Sequence, residues 1–301
     1  MERSYILHMF TPGKQMSPFD INMAVDAGYQ VVVPYCGVSL GEITGLTQDA
    51  IFSRGPKGVK ATGIFIGGRD VMLAADMLDA ARKAMVPPFE VSVIADPSGS
   101  YTTAAALVAC VEQLLRSAHG TDLAGKRVLI LGGTGTVGRI AGVLAAGLGA
   151  RVVLASHRDQ ANAEKAAAET AARFGCELHG AGTGSAEARR AALAEADVVL
   201  ATAAAGVQVA TAEEVADAAR LLVAADVNAV PPEGIAGVGV MDKGKPIAGT
   251  RALGIGALAV GNVKYQVENG LLAAMRQADK PLYLGFREAF AKARELLAEK
   301  S

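Results

Sequence analysis

Lys126-Arg-Val-Leu-Ile-Leu-Gly-Gly-Thr-Gly-Thr-Val-Gly138 is an apolar run that leads directly into a glycine-rich turn. Gly133, Gly135 and Gly138 have the G-x-G-x-x-G spacing with which backbone amides and a helix N-terminus hold a pyrophosphate. Because the chain contains 35 glycines, the triplet alone does not establish a nucleotide-binding turn. Its surroundings have the strand, helix and strand patterns of a βαβ unit, at 127–131, 137–148 and 151–155. We therefore predict a dinucleotide-binding domain of the Rossmann type; the alternative is an ordinary tight strand-to-helix turn.

The end of the second of these strands predicts which cofactor binds. A cofactor without a 2′-phosphate usually meets Asp or Glu there, hydrogen-bonded to the ribose hydroxyls. Here the strand ends in Ser156-His157-Arg158, and the first carboxylate is Asp159, further into the turn. A hydroxyl, an imidazole and a guanidinium suit a phosphate monoester, since Arg can bind it through paired charge-assisted hydrogen bonds. The sequence therefore favours NADP and leaves NAD open; the alternative for Arg158 is a solvated charge at the start of a helix.

The rest of the cofactor site is expected beyond the carboxyl ends of the strands, where ligands bind in parallel α/β sheets. Asn228 follows an apolar strand, and its side-chain amide is placed to bind the nicotinamide carboxamide. The complete set of predicted cofactor-binding residues is Gly133, Thr134, Gly135, Thr136, Val137, Gly138, Ser156, His157, Arg158, Thr202, Ala203 and Asn228.

The composition limits the class of protein. A length of 301 residues allows two domains, and the 51% apolar content without tryptophan suits tightly packed α/β layers. A formal charge of −1 argues against a nucleic-acid or membrane surface. No apolar run is long enough to span a bilayer, and the N-terminus lacks the pattern of a signal peptide, so we expect a cytoplasmic protein. Three widely spaced cysteines and four histidines without ligand spacing predict neither disulfides nor a metal site.

Strand-like and helix-like segments alternate along the chain, which predicts parallel sheets. The predicted strands are at 5–9, 31–34, 62–66, 91–95, 127–131, 151–155, 176–178, 197–201 and 221–226, and residues 51–52 are also strand-like. The predicted helices are at 18–27, from 69 or 70 to about 85, and at 101–118, 137–148, 160–174, 187–196, 261–275 and 284–299.

The predicted fold is therefore α/β, with two domains and a cleft between them. We expect an N-terminal parallel-sheet domain over 1–120 and a Rossmann domain over 121–275. The C-terminal helix within 276–301 is expected to pack back onto the first domain, because a long terminal helix must bury its apolar stripe.

Several segments on the predicted cleft side are more specific than the glycine triplet. They are His8-Met-Phe-Thr-Pro-Gly-Lys-Gln-Met-Ser-Pro-Phe-Asp-Ile-Asn-Met-Ala24, Ile51-Phe-Ser-Arg-Gly55, Gly63-Ile-Phe-Ile-Gly-Gly68, Val86-Pro-Pro-Phe89, Asp96-Pro-Ser-Gly-Ser-Tyr-Thr-Thr103, Ala225-Asp-Val-Asn-Ala-Val-Pro-Pro232 and Gly254-Ile-Gly-Ala-Leu-Ala-Val-Gly-Asn-Val-Lys264. In order, and over nearly the whole chain, these segments resemble the bacterial methylene-tetrahydromethanopterin dehydrogenases of one-carbon metabolism. The similarity is to the branch that accepts both NAD and NADP. Its sister branch is NADP-specific and also uses tetrahydrofolate derivatives.

The resemblance implies a reaction and its partners. It implies oxidation of 5,10-methylene-tetrahydromethanopterin to the 5,10-methenyl cation, with NAD(P) accepting the hydride, in formaldehyde oxidation. It also implies a pterin-binding role for the domain at 1–120 and a homo-oligomer, either a trimer or a hexamer.

Hydride transfer from this substrate makes modest demands on side chains. The hydride leaves a carbon flanked by two nitrogens whose lone pairs stabilise the resulting cation, so no general base is obligatory. We therefore expect positioning residues and no nucleophile. The predicted pterin-binding residues, drawn from the family-like segments, are Lys14, Gln15, Asp20, Asp96, Thr102, Thr103 and Lys264.

Each of these residues also has an ordinary structural interpretation. Lys14 and Gln15 fit a solvated loop, and a carboxylate at Asp20 suits the first turn of a helix. The Thr102-Thr103 pair fits helix capping, Asp96 fits an Asx turn before proline, and Lys264 fits a helix surface. Arg54 either holds a cofactor phosphate or pairs with a structural carboxylate.

Two other functions stay open from the sequence. A methylene-tetrahydrofolate dehydrogenase has a similar architecture, but the bifunctional enzymes of that kind usually carry a Tyr-x-x-x-Lys pair. Here Tyr29 is followed four residues later by Val33, and Tyr35 by Ser39. A non-catalytic NADP-binding regulatory protein is the alternative of another class, because a Rossmann domain implies binding and not turnover.

Overall fold

The computed structural model of the chain describes residues 3–299, which form two compact units. The first unit takes the described residues through Thr102 and adds Tyr265–Lys292. The second takes Thr103–Lys264 and the described residues from Ala293 onward. The strands are β1 (Ile6–Thr11), β2 (Val31–Cys36), β3 (Thr62–Ile66), β4 (Ser92–Ala95), β5 (Arg127–Leu131), β6 (Arg151–Ser156), β7 (His179–Gly182), β8 (Val198–Ala201), β9 (Val223–Asp226), β10 (Lys243–Pro246), β11 (Leu253–Ile255) and β12 (Tyr283–Leu284).

The helices follow the strands in regular alternation over much of the chain. They are α1 (Pro18–Asp26), α2 (Ile43–Phe52), α3 (Pro56–Val59), α4 (Val71–Lys83), α5 (Ser100–His119), α6 (Thr136–Gly147), α7 (Gln160–Phe174), α8 (Ala186–Ala194), α9 (Ala212–Asp217), α10 (Ala257–Gln277) and α11 (Phe286–Ala298). Short 3-10 turns lie at Leu40–Glu42 and Pro97–Gly99.

The first unit is built on a five-stranded sheet in the order β12-β4-β3-β1-β2, with every neighbouring pair parallel. All five residues of β3 are buried, as expected for a parallel strand with both faces covered. Helices begin where the sequence signals them. Ser17 is the N-cap of α1 with proline at the first helical position, and the Asp70 carboxylate caps α4 by accepting the amides of Met72 and Leu73 at 2.9 and 3.1 Å.

The second unit is built on a seven-stranded sheet in the order β10-β11-β9-β8-β5-β6-β7. Its pairs are parallel except for β10 with β11. The chain moves outward from β5 through β6 to β7, and then returns to β8 on the other side of β5. The strand order thus reverses between β5 and β8, and parallel sheets bind ligands at the carboxyl edge of such a point.

The α/β class and the parallel sheets predicted from the sequence are confirmed. The predicted strands at 62–66 and 127–131 and the predicted helix at 160–174 have the bounds of β3, β5 and α7. The predicted strand at 176–178 is wrong, because Gly175 ends α7 in a left-handed conformation and the paired strand follows at His179–Gly182. Residues 51–52 end helix α2, since two apolar residues have no periodicity that separates strand from helix.

The division into units differs from the predicted domain bounds at two places. It falls within α5, after Thr102, where the prediction ends the first domain at residue 120. Residues 265–292 belong to the first unit, whereas the described residues from 293 onward belong to the second. The ligand assigned to each predicted domain stays a prediction. Among the helices in the described part of the chain, none is both long and apolar enough to cross a membrane.

Gly180 in β7 gives a test of how closely that strand packs on α7. A Cβ at Gly180 would collide with the backbone of Ala163 and Glu164. We expect Gly180→Ala to lower the free energy of unfolding by about 1–3 kcal/mol, because backbone atoms must shift. Gly147, in α6, has open space where an added Cβ would lie. Gly147→Ala is the control and should be neutral or slightly stabilising in denaturant unfolding, since Ala favours helix. Equal stability of the two variants would contradict the close packing.

Candidate functional site

The glycine-rich turn between β5 and α6 has no room for side chains at its key positions. A Cβ at Gly133 would lie 2.6 Å from the carbonyl oxygen of Ile130, and one at Gly138 would lie 2.7 Å from Cα of Gly133. Gly132 has a φ of +75°, which L side chains rarely adopt. The glycines therefore allow α6 to begin directly against the end of the central strand.

Hydrogen bonds within the turn determine which amides face outward. The amide of Gly133 donates to the carbonyls of Ile130 and Ala155, both at 3.0 Å, and the amide of Gly135 donates to Gly132 at 3.0 Å. Gly135 is the N-cap of α6 and offers no side chain to the helix amides. The first amides of a helix have no intrahelical acceptor, so those of Thr136, Val137 and Gly138 suit an anion.

The loop after β8 packs on this turn. Thr202 donates both its amide and its hydroxyl to the carbonyl of Leu131, at 2.8 and 3.2 Å. A Cβ at Gly132 would lie 2.6 Å from the amide nitrogen of Ala203, and one at Gly138 would lie 2.8 Å from Oγ1 of Thr202. Thr202 and Ala203 thus lie against the predicted pyrophosphate turn.

The end of β6 presents two exposed side chains above a buried one. Ser156 is buried, donates its hydroxyl to Oδ1 of Asn162 at 3.1 Å and accepts the amide of Arg158 at 3.1 Å. His157 and Arg158 are exposed. The Asp159 carboxylate accepts the amide of Asn162 at 2.7 Å and so caps α7. The first carboxylate after β6 therefore has a helix-capping role.

The loop after β9 is held by a buried carboxylate that the sequence analysis missed. Asp226 is 1% exposed, and Oδ1 accepts the amide of Asn228 at 2.9 Å. Its Oδ2 accepts the amides of Gly234 and Ile235 at 2.6 and 3.2 Å. Burial raises the pKa of the Asp226 carboxyl, the three amides oppose that rise, and the charge of Glu233 adds to it. The signal in the sequence was an aspartate ending an apolar strand before a proline-rich loop.

Asn228 uses its side chain to join two loops. Its Oδ1 accepts the amides of Gly206 and Val230, both at 3.0 Å, and its Nδ2 donates to the carbonyl of Pro232 at 2.8 Å. Asn228 therefore links the loop after β8 to the loop after β9. One hydrogen of Nδ2 is left after the bond to Pro232, so a further hydrogen bond from this amide is chemically available.

In the first unit, the carboxyl ends of β1, β3 and β4 also meet. The hydroxyl of Ser98 donates to the carbonyl of Gly68 at 2.9 Å, and a Cβ at Gly68 would lie 3.0 Å from the ring of Pro12. Ser98 has a φ of +52°, a left-handed conformation that is uncommon for residues other than glycine. These contacts bring three loops together at one edge of the sheet.

The predicted pterin-binding residues lie in different settings. Lys14 and Gln15 are exposed in the loop after β1, and Asp20 is 1% exposed in the first turn of α1. Thr103 and Lys264 are half-buried and belong to the second unit, in α5 and α10.

Asp96 and Thr102 form one buried cluster that fixes the start of α5. Oδ1 of Asp96 accepts the amides of Tyr101 and Thr102 at 2.9 and 3.2 Å, and Oδ2 accepts the Thr102 hydroxyl at 2.5 Å. Both side chains thus have a structural role. By contrast, Arg54 donates to the carbonyls of Ser4 and Ala61, at the amino-terminal edge of the sheet. Over residues 3–299, no three His, Cys, Asp or Glu side chains come together as a metal site would require.

The fold and the turn together define a protein with a Rossmann-type nucleotide-binding unit. Residues 18–98 match the family model described as methylene-tetrahydromethanopterin dehydrogenase, N-terminal. The chain is 50% identical, over 296 residues, to the NAD(P)-dependent methylenetetrahydromethanopterin dehydrogenase of Methylorubrum extorquens, covering 98% of this chain and 99% of the relative. The chain belongs to the methylene-tetrahydromethanopterin dehydrogenase family.

A second relative and two solved structures are also similar to the chain. The bifunctional protein MdtA of the same organism is 32% identical over 278 residues, covering 92% of this chain and 94% of the relative. The NAD-dependent malic enzyme of Thermotoga maritima has a TM-score of 0.57 at 12% identity, covering 96% of this chain and 84% of that one. Ornithine carbamoyltransferase of Pyrococcus furiosus has a TM-score of 0.53 at 16% identity, covering 92% and 86%. The two solved structures show similarity of fold alone.

Replacement of Asp226 by asparagine tests the role of the buried carboxylate. Asn offers one acceptor oxygen in place of two, and its amide group would face the amides that Oδ2 now accepts. We expect Asp226→Asn to lower the free energy of unfolding by about 1–3 kcal/mol, because buried donors lose an acceptor. Denaturant unfolding measures the change, and Asp242→Asn, which affects one amide at Gly239 and a 4.0 Å ion pair with Lys245, is the control.

The raised pKa of Asp226 also predicts how stability depends on pH. A folded-state pKa raised above the ordinary aspartate value of 3.8 means that the folded protein binds more protons than the unfolded chain in the interval above that value. Stability therefore falls as pH rises through this interval. The stability difference between wild type and Asp226→Asn should shrink from the low-pH end upward, whereas the wild-type slope should persist in Asp242→Asn. A difference that is constant across pH would contradict the prediction.

Proposed function

We propose that the protein oxidises 5,10-methylene-tetrahydromethanopterin to the 5,10-methenyl form, with NAD(P) as hydride acceptor. The observation that carries the proposal is the 50% identity over 98% of the chain to an enzyme with that name. The match of residues 18–98 to the N-terminal family model supports a pterin-binding role for the first part of the chain.

The glycine-rich turn supports nicotinamide-dependent chemistry. Gly133 and Gly138 lie where a Cβ would collide with backbone, so the turn has the cradle shape that suits a pyrophosphate. When bound, the nicotinamide ring supplies a two-electron hydride acceptor. We assign the pyrophosphate to residues 133–138, with Thr202 and Ala203 beside it. Asn228 is proposed for the carboxamide, through the Nδ2 hydrogen that its bond to Pro232 leaves over.

The end of β6 supports NADP, with NAD still accepted. Asp159 caps α7, which fits poorly with a carboxylate that holds ribose hydroxyls, while His157 and Arg158 are exposed. We propose that Ser156 fixes the backbone of this corner and that His157 and Arg158 bind the 2′-phosphate.

The reaction needs positioning more than proton transfer. The C–H bond of the methylene carbon breaks with its electron pair, and a nitrogen lone pair forms the C=N bond of the cation, so no proton leaves in this step. We propose Lys14, Gln15, Asp20, Thr103 and Lys264 as pterin-binding residues. Asp96 and Thr102 are engaged with the start of α5, so we propose that their contribution is indirect and that they hold that helix end in place. A homo-oligomer and a cytoplasmic location stay predictions.

An absorbance assay at about 340 nm tests the proposed function, since reduction of the nicotinamide is visible there. The purified full chain is given methylene-tetrahydromethanopterin with NADP or NAD, and methylene-tetrahydrofolate in parallel. Turnover with the methanopterin substrate supports the proposal. Turnover with the folate substrate alone would mean that the substrate is the tetrahydrofolate derivative. No turnover with either would leave a nucleotide-binding protein without this activity.

Arg158 gives a prediction about cofactor choice. We expect Arg158→Ala to lower kcat/KM for NADP by about tenfold and to leave kcat/KM for NAD nearly unchanged, because only NADP carries the phosphate that the guanidinium binds. Arg151→Ala is the control, since Arg151 is an exposed arginine at the opposite end of the same strand. An equal loss for both cofactors would place Arg158 outside the phosphate site.

A further inference from the structure

Arg139 connects the glycine-rich turn to the neighbouring helix. It follows Gly138 directly, and its side chain is 20% exposed. Its Nε donates to the carbonyl oxygen of Thr134 at 3.0 Å, while Nη1 donates to Oε2 of Glu169 at 3.2 Å and to Oγ1 of Thr170 at 3.4 Å. The guanidinium thus joins the tip of the turn to α7, which also packs along α6.

We propose that Arg139 is a positioning residue for the pyrophosphate of the dinucleotide, acting through the peptide between Thr134 and Gly135. The inference rests on the proposed function, because it concerns the cofactor site named there. It adds a residue that the sequence analysis did not include, although its position directly after the glycine triplet was a usable signal.

Both polar groups of that one peptide have hydrogen-bond partners within the protein. Its carbonyl, on Thr134, accepts from Arg139, and its N–H, on Gly135, donates to the carbonyl of Gly132 at 3.0 Å. Both groups are held on the protein side, so the peptide plane cannot rotate freely. With Arg139 removed, one of these two restraints is lost.

Such a rotation matters because Gly135 offers little resistance to it. Glycine tolerates the φ values on both sides of zero, so a flip of the Thr134–Gly135 peptide costs little in backbone strain. A flip exchanges the directions of the C=O and N–H groups, so it would turn the Thr134 carbonyl toward the Gly132 carbonyl and break the hydrogen bond that closes the turn. The helix amides that favour an anion would then no longer be held in one arrangement.

The charge of Arg139 is partly balanced before any ligand binds. Glu169 pairs with Nη1, but Glu169 also lies 3.9 Å from the ammonium of Lys165. A planar guanidinium can bond a carbonyl and a carboxylate from two sides at once, whereas a lysine ammonium is a point charge on a flexible stem. The geometry therefore requires the shape of Arg139 in addition to its charge.

Binding of three ligands to Arg139→Ala tests the inference. The ligands are NADP, ADP and 2′-AMP, measured by calorimetry on the full chain. ADP carries the pyrophosphate, while 2′-AMP has the 2′-phosphate alone. We expect Arg139→Ala to weaken NADP and ADP by about tenfold and to leave 2′-AMP within about twofold. In turnover, KM for NADP should rise while KM for the pterin stays constant. Arg139→Lys should not restore the affinity.

Arg127→Ala is the matched control. Arg127 lies at the start of β5 and pairs with Glu195 at 2.8 Å, so its removal leaves the glycine-rich turn intact. It should bind all three ligands as wild type does. Unchanged binding of NADP and ADP to Arg139→Ala would overturn the inference alone. An equal loss of affinity for all three ligands would also overturn it, because such a loss indicates general unfolding. Full recovery of affinity in Arg139→Lys would overturn it as well, because that indicates direct attraction between a positive charge and the pyrophosphate. Failure of the wild-type chain to bind NADP would overturn the proposed function itself, together with the inference.

Discussion

The absence of Cβ atoms where β5 meets α6 is the constraint on which the second unit depends. Gly133, Gly138 and the end of β8 approach so closely that one methyl group would separate the central strand from its helix. This approach brings the N-terminus of α6 to the carboxyl edge of the sheet, at the point where the strand order reverses. Backbone amides, a helix dipole and the loop after β8 then occupy a small volume. The candidate site is thus made largely of main chain, and side chains serve to hold that main chain still.

Two buried aspartates, one in each unit, hold loop backbone in the same way. Asp96 follows β4 and Asp226 ends β9. Each carboxylate accepts hydrogen bonds from backbone amides of the segment that comes next. The amides of a tight loop would otherwise lack acceptors, and a carboxylate can accept several of them at once. Arginines do the converse for carbonyls: Arg139 binds Thr134, and Arg54 binds Ser4 and Ala61. Charged side chains in these positions bind the chain's own backbone.

The parts of this architecture that could be predicted are those with a local pattern. Apolar runs of four or five residues and the alanine-rich helix α7 have a period that can be counted, so β3, β5 and α7 were predicted with their bounds. β7 was misplaced because its sequence, His-Gly-Ala-Gly, lacks strand-forming residues and is set by packing on α7. Strands β10, β11 and β12 have two to four residues and no period. Arg139 and Asp226 each had a local signal, but their roles were missed because the hydrogen bonds that define them cross a turn or a loop and cannot be deduced from residue spacing.

The way the first unit is assembled from two stretches of chain has a consequence for its biosynthesis. β12 adds to β4 through residues near 283, whereas the seven strands of the second unit are all present once Ile255 has been made. Domains commonly fold as units while the ribosome is still adding residues. The later-encoded unit therefore has its complete sheet first, and the earlier-encoded one must wait with an open strand edge at β4. Such an edge is a template for unwanted pairing, so the nascent chain carries this aggregation risk from the synthesis of β4 until β12 has been made.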